Sequence, residues 1–284
     1  MSDIIRTEHY LNDPLLPQLF LQSWKKKDGG SRGLFLITHG ISEHSDCYNL
    51  LAHELAAKDW TVFGWDLIGH GRSSGPRGVI EHFNDFSKHL GMLVDFLKGH
   101  NDIKSSPLVA FGHSMGGLIT TQYILDLKTG FPQACILSCP AFGLETKLSA
   151  TKESAAQWMN QFFPSLTINN GLQFDHLSRD PKMVASYRTD SLRHRKISAP
   201  LYLGMKAAQV DVGERMHSFG SPLLMQSAGR DTTITTSDCI EFYKKVPQPK
   251  KLHIYEESFH EIYNDINRQE VIDHLHQYLG ELGL

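Results

Sequence analysis

PLVAFGHSMGG, residues 107–117, followed at once by LITTQYILDL, is the stretch that decides the fold. It begins as a short apolar run, turns through Gly112-His113-Ser114-Met115-Gly116-Gly117 and enters a helical pattern without a loop. Gly-x-Ser-x-Gly is weak by itself: at about 7% each for Gly and Ser, chance supplies roughly a tenth of a match in a chain this long. Its context makes it strong, because strand, sharp turn and helix form the setting of a nucleophile elbow. The flanking glycines permit a tight turn and a close approach of helix to strand. A serine at that turn points its hydroxyl over the C-terminal edge of the sheet, where open α/β sheets bind ligands. Ser114 is therefore the candidate nucleophile.

On either side of this stretch, apolar runs bounded by turn residues recur: LFLIT (34–38), TVFGWD (61–66), ACILS (134–138), PLLMQSAG (222–229) and KLHIYEE (251–257). Continuous rather than alternating runs point to strands buried on both faces, as in a parallel sheet. Helical patterns lie between them at 50–58, 86–98, 115–128, 235–246 and 266–282. Strand–helix alternation predicts a mostly parallel, doubly wound α/β sheet. Two leading strands, near 4–10 and 15–24, read as an antiparallel hairpin around Asn12-Asp13-Pro14.

The alternation breaks between about 141 and 200, where no strand is obvious. Ala155, Trp158, Met159, Phe162 and Phe163 fall at helical spacing, a second helix starts with Asp180 as N-cap and Pro181 in its first turn, and a third runs near 200–216. The expected organisation is a core of residues 1–140 and 217–284 interrupted by a helical cap insertion, 141–216. The aromatic stripe of its first helix serves either to pack against the core or to line an apolar cleft. In the second case Trp158, Met159 and Phe162 contact substrate.

A serine hydroxyl is not ionised at neutral pH and needs a base, an acid to orient that base, and donors for the developing oxyanion. In a hydrolase of this architecture the triad follows in the order Ser, Asp or Glu, His. PLLMQSAG runs directly into Arg230-Asp231, so Asp231 is the candidate acid. KLHIYEE is followed by Ser258-Phe259-His260, so His260 is the candidate base. His253 lies inside the strand. Met115, directly after the nucleophile, offers one backbone N–H. The second falls to Ile41 in the loop His39-Gly40-Ile41-Ser42-Glu43-His44. Glu43 and His44 in that loop are candidate contacts for a polar head group.

Composition narrows the field. The chain has 284 residues and a formal charge of −3, which makes no electrostatic case for nucleic acid as a partner. Cys47, Cys135, Cys139 and Cys239 have no framework spacing and read as free thiols. No apolar run approaches the roughly 18 residues that span a bilayer, and the N-terminus lacks signal-peptide character. The default location is the cytoplasm, with peripheral membrane contact left open. No His-Glu-x-x-His motif or P-loop occurs, and neither metal nor cofactor is expected.

Six segments together resemble monoacylglycerol lipases and related bacterial lysophospholipases, the serine-aminopeptidase-like (S33) group. They are HGISEHS (39–45), GWDLIGHGRSSGPRG (64–78), GHSMGG (112–117), SRDPKMVASYRTD (178–190), SAGRDTTI (227–234) and SFHEIYND (258–265). The resemblance implies the α/β-hydrolase fold, cofactor-free cleavage of a small lipid ester, a Ser114–Asp231–His260 triad, and Ile41 and Met115 as oxyanion donors. Two departures stand out: Ser42 where the group usually has Gly, and Asp190-Ser191 where it often has Asp-Pro. Rival readings are a short-chain esterase, an aminopeptidase of the same fold that uses Glu145 or Glu153 to hold a substrate amine, and a binding protein without turnover. Epoxide hydrolases and dehalogenases of this fold carry Asp where this chain has Ser114.

Overall fold

The computed structural model describes residues 3–11, 17–99, 106–127, 131–145, 149–247 and 249–284. The turn expected at 12–14 lies outside them. Its flanks are β1 (Ile4–Leu11) and β2 (Leu19–Lys26), paired antiparallel as expected. The other strands of the main sheet are β3 (Gly33–Thr38), β4 (Trp60–Trp65), β5 (Leu108–His113), β6 (Ala134–Ser138), β9 (Leu223–Ala228) and β10 (Lys250–Tyr255). The order is β1-β2-β4-β3-β5-β6-β9-β10, parallel throughout from β4 to β10. The chain leaves β3 towards β4 on one side and returns to β5 on the other. The crevice between β3 and β5 is thus a topological switch point, the place where such sheets bind ligands.

The continuous apolar runs have a simple physical origin. In β3, Leu34 and Leu36 enter one core cluster while Phe35 and Ile37 enter the other. β6 repeats the pattern, with Cys135 and Leu137 on one face and Ala134 and Ile136 on the opposite one. Successive strand residues point to opposite faces, so a sheet covered on both sides needs an apolar residue at every position. Helices α1 (Asn49–Ala57) and α8 (Arg268–Glu281) cover the second face with Leu51, Leu55, Val271 and Leu275. Helices α2 (Asp85–Gly99), α3 (Met115–Leu127) and α7 (Thr236–Lys245) lie on the first.

Between β6 and β9 the chain forms α4 (Ala150–Phe162), β7 (Thr167–Asn169), α5 (Pro181–Thr189), β8 (Lys196–Ser198) and α6 (Ala199–Arg215). Asp180 caps α5 as expected, accepting from Lys182 N at 2.9 Å. The short antiparallel pair β7–β8 was not legible in the sequence, because three-residue strands carry no period. α6 packs on α3 and buries Leu201, Met205 and Val212 in the main core, so the last helix of the insertion anchors it to the sheet domain. All four cysteines are free thiols. No described helix is long and apolar enough to cross a membrane.

Candidate active site

Ser114 sits between β5 and α3 with φ +52°, a left-handed conformation that costs a non-glycine residue strain and is held only by its surroundings. Here the surroundings hold it by backbone bonds. Ser114 N donates to Ser138 O at 2.9 Å, and Ser114 O accepts from Gly117 N and Ala141 N, each at 2.9 Å. Gly116 explains the bare face of the turn, since a Cβ there would stand 2.2 Å from Thr38 O. The tip of β3 therefore presses against the start of α3. Gly40 is equally constrained: an added Cβ would meet Ser114 Cβ at 2.9 Å. Absence of side chains at Gly40 and Gly116 brings the loop after β3 against Ser114 and sets Ile41 at the wall of its cleft.

Asp231 follows β9 and His260 follows β10, so both reach the sheet edge that carries Ser114. Asp231 Oδ1 accepts from Thr233 N at 2.8 Å and Ile234 N at 2.9 Å, which leaves Oδ2 for His260 Nδ1 at 2.6 Å. A carboxylate only accepts, so Nδ1 carries the proton in this bond and Nε2 is the ring's free base. Burial alone would lower the pKa of His260, but the charge and hydrogen bond of Asp231 outweigh it and hold the imidazole above its ordinary value of 6.5. Burial likewise works against ionised Asp231, yet His260 and the two backbone donors keep its pKa below the usual carboxylate range. Next to this pair lies His113, its ring 4.7 Å from that of His260 and its Nδ1 3.1 Å from Ser138 Oγ. Burial pushes His113 down to about 3, so it is neutral at working pH.

Ser114 and His260 share the wall of a narrow cleft. Gly40, Ile41 and Glu43 line it from the loop after β3, and Leu172 and Leu177 from the insertion. Thr233 and Glu261 complete the wall. Glu43 is thus where a head-group contact was expected, but it also braces its own loop: Oε1 accepts from Gly40 N and from Tyr48 OH at 2.7 Å. Burial and the neighbouring Glu261 push its pKa upward.

Other expected contacts are not in this wall. His44 is turned away and its Nε2 lies 2.7 Å from Asp190 Oδ2, a bond between core and insertion. Trp158 and Phe162 are each 55% exposed and Met159 is half-buried, on a helix that buries no residue. Leu172 and Leu177, which the sequence reading did not single out, occupy the place expected of them. Glu153, weighed as an amine acceptor, is paired with Lys206 instead. One of the two departures from the lipase pattern, Ser42, also becomes intelligible. Ser42 has φ +68°, where glycine is favoured, and its Oγ accepts from Asn170 Nδ2 at 2.7 Å. Asp190 is the partner of His44. The bond to Ser42 and the bond to His44 both tie the loop after β3 to the insertion.

The order of these residues, both along the chain and around the sheet, is that of the α/β-hydrolases. A family model described as serine aminopeptidase, S33 matches residues 29–267, and the chain belongs to that family. It is a hydrolase. A monoacylglycerol lipase of Mycolicibacterium smegmatis is 28% identical over 248 residues, 87% of each chain. A phospholipase of Bacillus subtilis is 27% identical over 87% of this chain and 95% of its own. The chain spans only 28% of a further relative, an uncharacterized abhydrolase domain-containing protein of Dictyostelium discoideum, at 28% identity over 93% of this chain. Among solved structures, a monoacylglycerol lipase of Paleococcus ferrophilus superposes with TM-score 0.84 at 23% identity, covering 93% of this chain and 99% of that one. A soluble variant of Saccharomyces cerevisiae monoglyceride lipase bound to a substrate analog gives the same TM-score at 21% identity, covering 96% and 94%. Both share this fold.

Proposed function

We propose that the protein hydrolyses carboxylic esters of single-chain lipids, monoacylglycerols or lysophospholipids, through an acyl-enzyme on Ser114. The observation that carries this reading is the shared cleft: an elbow serine and a histidine whose Nδ1 is held at 2.6 Å by a buried carboxylate. In the reaction, His260 Nε2 takes the proton of Ser114 Oγ as the oxygen attacks the ester carbon. Asp231 keeps the ring in the tautomer that can do so and stabilises the imidazolium. The N–H groups of Ile41 and Met115 donate to the carbonyl oxygen as it becomes an oxyanion. His260 then returns the proton to the departing alcohol, and a water activated by the same ring releases the fatty acid.

The substrate class is supported by the relatives, a monoacylglycerol lipase and a phospholipase, and by a cleft that sets Leu172 and Leu177 beside Glu43. Residues 141–216 act in this reading as the cap over the cleft. An aminopeptidase reading has one favourable observation, the carboxylate of Glu43 in the wall, which suits a substrate amine. A substrate panel separates the two: monoacylglycerols, lysophospholipids, acetyl esters, diacylglycerols and aminoacyl amides, all below their critical micelle concentrations. Each methylene removed from water contributes up to about 0.8 kcal/mol, so kcat/KM is expected to rise up to several-fold per methylene until the groove is full. Highest efficiency on acetyl esters or on aminoacyl amides contradicts the lipid reading.

A further inference from the structure

Residues 177–193 do more than close over the cleft; they grip the loop that carries His260. Leu177 O accepts from Glu261 N at 2.7 Å, and Ser178 Oγ donates to Asn264 O at 2.8 Å. Arg179 reaches Asp265 twice, from its backbone N to Oδ1 at 2.8 Å and from Nε to Oδ2 at 2.9 Å. Asp265 Oδ2 also accepts from Phe259 N at 3.1 Å, immediately before His260. On the other side Arg193 forks onto Glu261, Nη1 to Oε1 at 2.9 Å and Nη2 to Oε2 at 3.2 Å. Its guanidinium lies over the Tyr187 ring at 3.9 Å. Arg193 and Glu261 side chains are 1% and 5% exposed. A buried bidentate pair fixes direction as well as distance.

We infer that Arg193 and Arg179 are positioning residues for the base: from the insertion they clamp Glu261 and Asp265, and so hold the Phe259-His260-Glu261 segment from both sides. This rests on the reading of His260 as the base. SRDPKMVASYRTD then has a mechanical reason to stand out in the sequence, since it supplies Arg179 and Tyr187 and leads directly to Arg193.

Arg193 also balances charge around the ring. His260 is faced by Asp231 from the loop after β9, Cys139 from the end of β6, His113 from the end of β5 and Glu43 from the loop after β3. Glu261 faces it from its own loop and raises its pKa, as Glu43 does. The only cation among the described residues paired with these two glutamates is Arg193.

The test is Arg193→Met with kcat, KM and the acid limb of kcat/KM read separately. Misplacing a catalytic group by about 1 Å costs on the order of 10²-fold, so kcat is expected to fall roughly 10- to 100-fold while KM stays within about threefold. The acid limb should move to higher pH, because the ring loses a neighbouring cation and Glu261 its counter-charge. Arg193→Lys keeps the charge without the fork and should return the limb while restoring only part of kcat. If Arg193→Met does not fold, the neutral pair Arg193→Met/Glu261→Gln decides: low kcat with the limb at or below its wild-type position. Wild-type kcat and limb in either folded variant overturn the clamp. A folded His260→Ala protein that stays active overturns instead the assignment of the base.

Discussion

The insertion between β6 and β9 has two halves of opposite character. Its outer half, α4 to β7, leaves Trp158, Phe162, Phe163, Leu166 and Ile168 each at least 50% exposed. Its inner half, residues 171–198, buries Phe174, Leu177, Tyr187 and the charged Arg193 against the sheet edge. Energetics separate them in the same way. Full burial of a large apolar side chain contributes about 1.5–3 kcal/mol, which the outer half largely forgoes. Breaking a buried ion pair by removing one partner costs about 3–5 kcal/mol, so the Arg193–Glu261 pair is the costly one to disturb. Hydrophobicity alone therefore does not pick out the part of the insertion that lines the cleft, which is Leu172 and Leu177. Polar side chains of the inner half, bonded to the loops that bear the site, tell where the insertion meets the chemistry.

Two levels of damage should bracket that expected of Arg193→Met. The largest belongs to the sheet-edge residues themselves. Asp231→Asn should slow turnover on the order of 10⁴-fold, the scale found when the orienting acid of a serine protease triad is neutralised. Its pH profile gives a signed check. With His260 as the proposed base, which must be neutral to act, wild-type kcat/KM should fall as pH drops through a His260 pKa raised above 6.5 by Asp231. Without that charge burial dominates, and the residual activity of the variant should extend to lower pH. A limb that stays in place or moves upward would mean that Asp231 does not set the state of the ring.

The smallest damage contrasts the two halves directly. Leu172→Ala, in the cleft wall, removes apolar contact worth about 0.8 kcal/mol per methylene and should cost several-fold in kcat/KM on long-chain esters. Phe162→Ala, on the exposed helix, should change stability by no more than about 0.5 kcal/mol and leave kcat/KM on monomeric substrates within about twofold. Measured side by side on dissolved long-chain esters, the reverse ranking would put α4 over the bound acyl chain after all.

Most of the sheet was legible because its physics is local. Runs such as LFLIT must be apolar at every position once both faces are covered, and each is bounded by turn residues. Ser114, Asp231 and His260 stood out because strand ends in this topology converge on one edge. Contacts across the insertion were less legible. Nothing in the spacing of Arg193 and Glu261, 68 residues apart, announces an ion pair. His44 reads as a candidate head-group contact in the sequence because its partner Asp190 lies 146 positions away. Apolar periodicity in α4 was read correctly as a helix but not as to which way it faces, since a stripe next to solvent and a stripe next to a ligand have the same period.

The central claim is that Ser114 is a nucleophile activated by its surroundings, and covalent capture addresses it without reference to any substrate. The intact protein, treated with a fluorophosphonate and digested, should carry one adduct on the peptide containing Ser114, and folded Ser114→Ala should carry none and lose nearly all turnover. Labelling at a different serine, or a folded Ser114→Ala protein that still labels and turns over, would contradict the account.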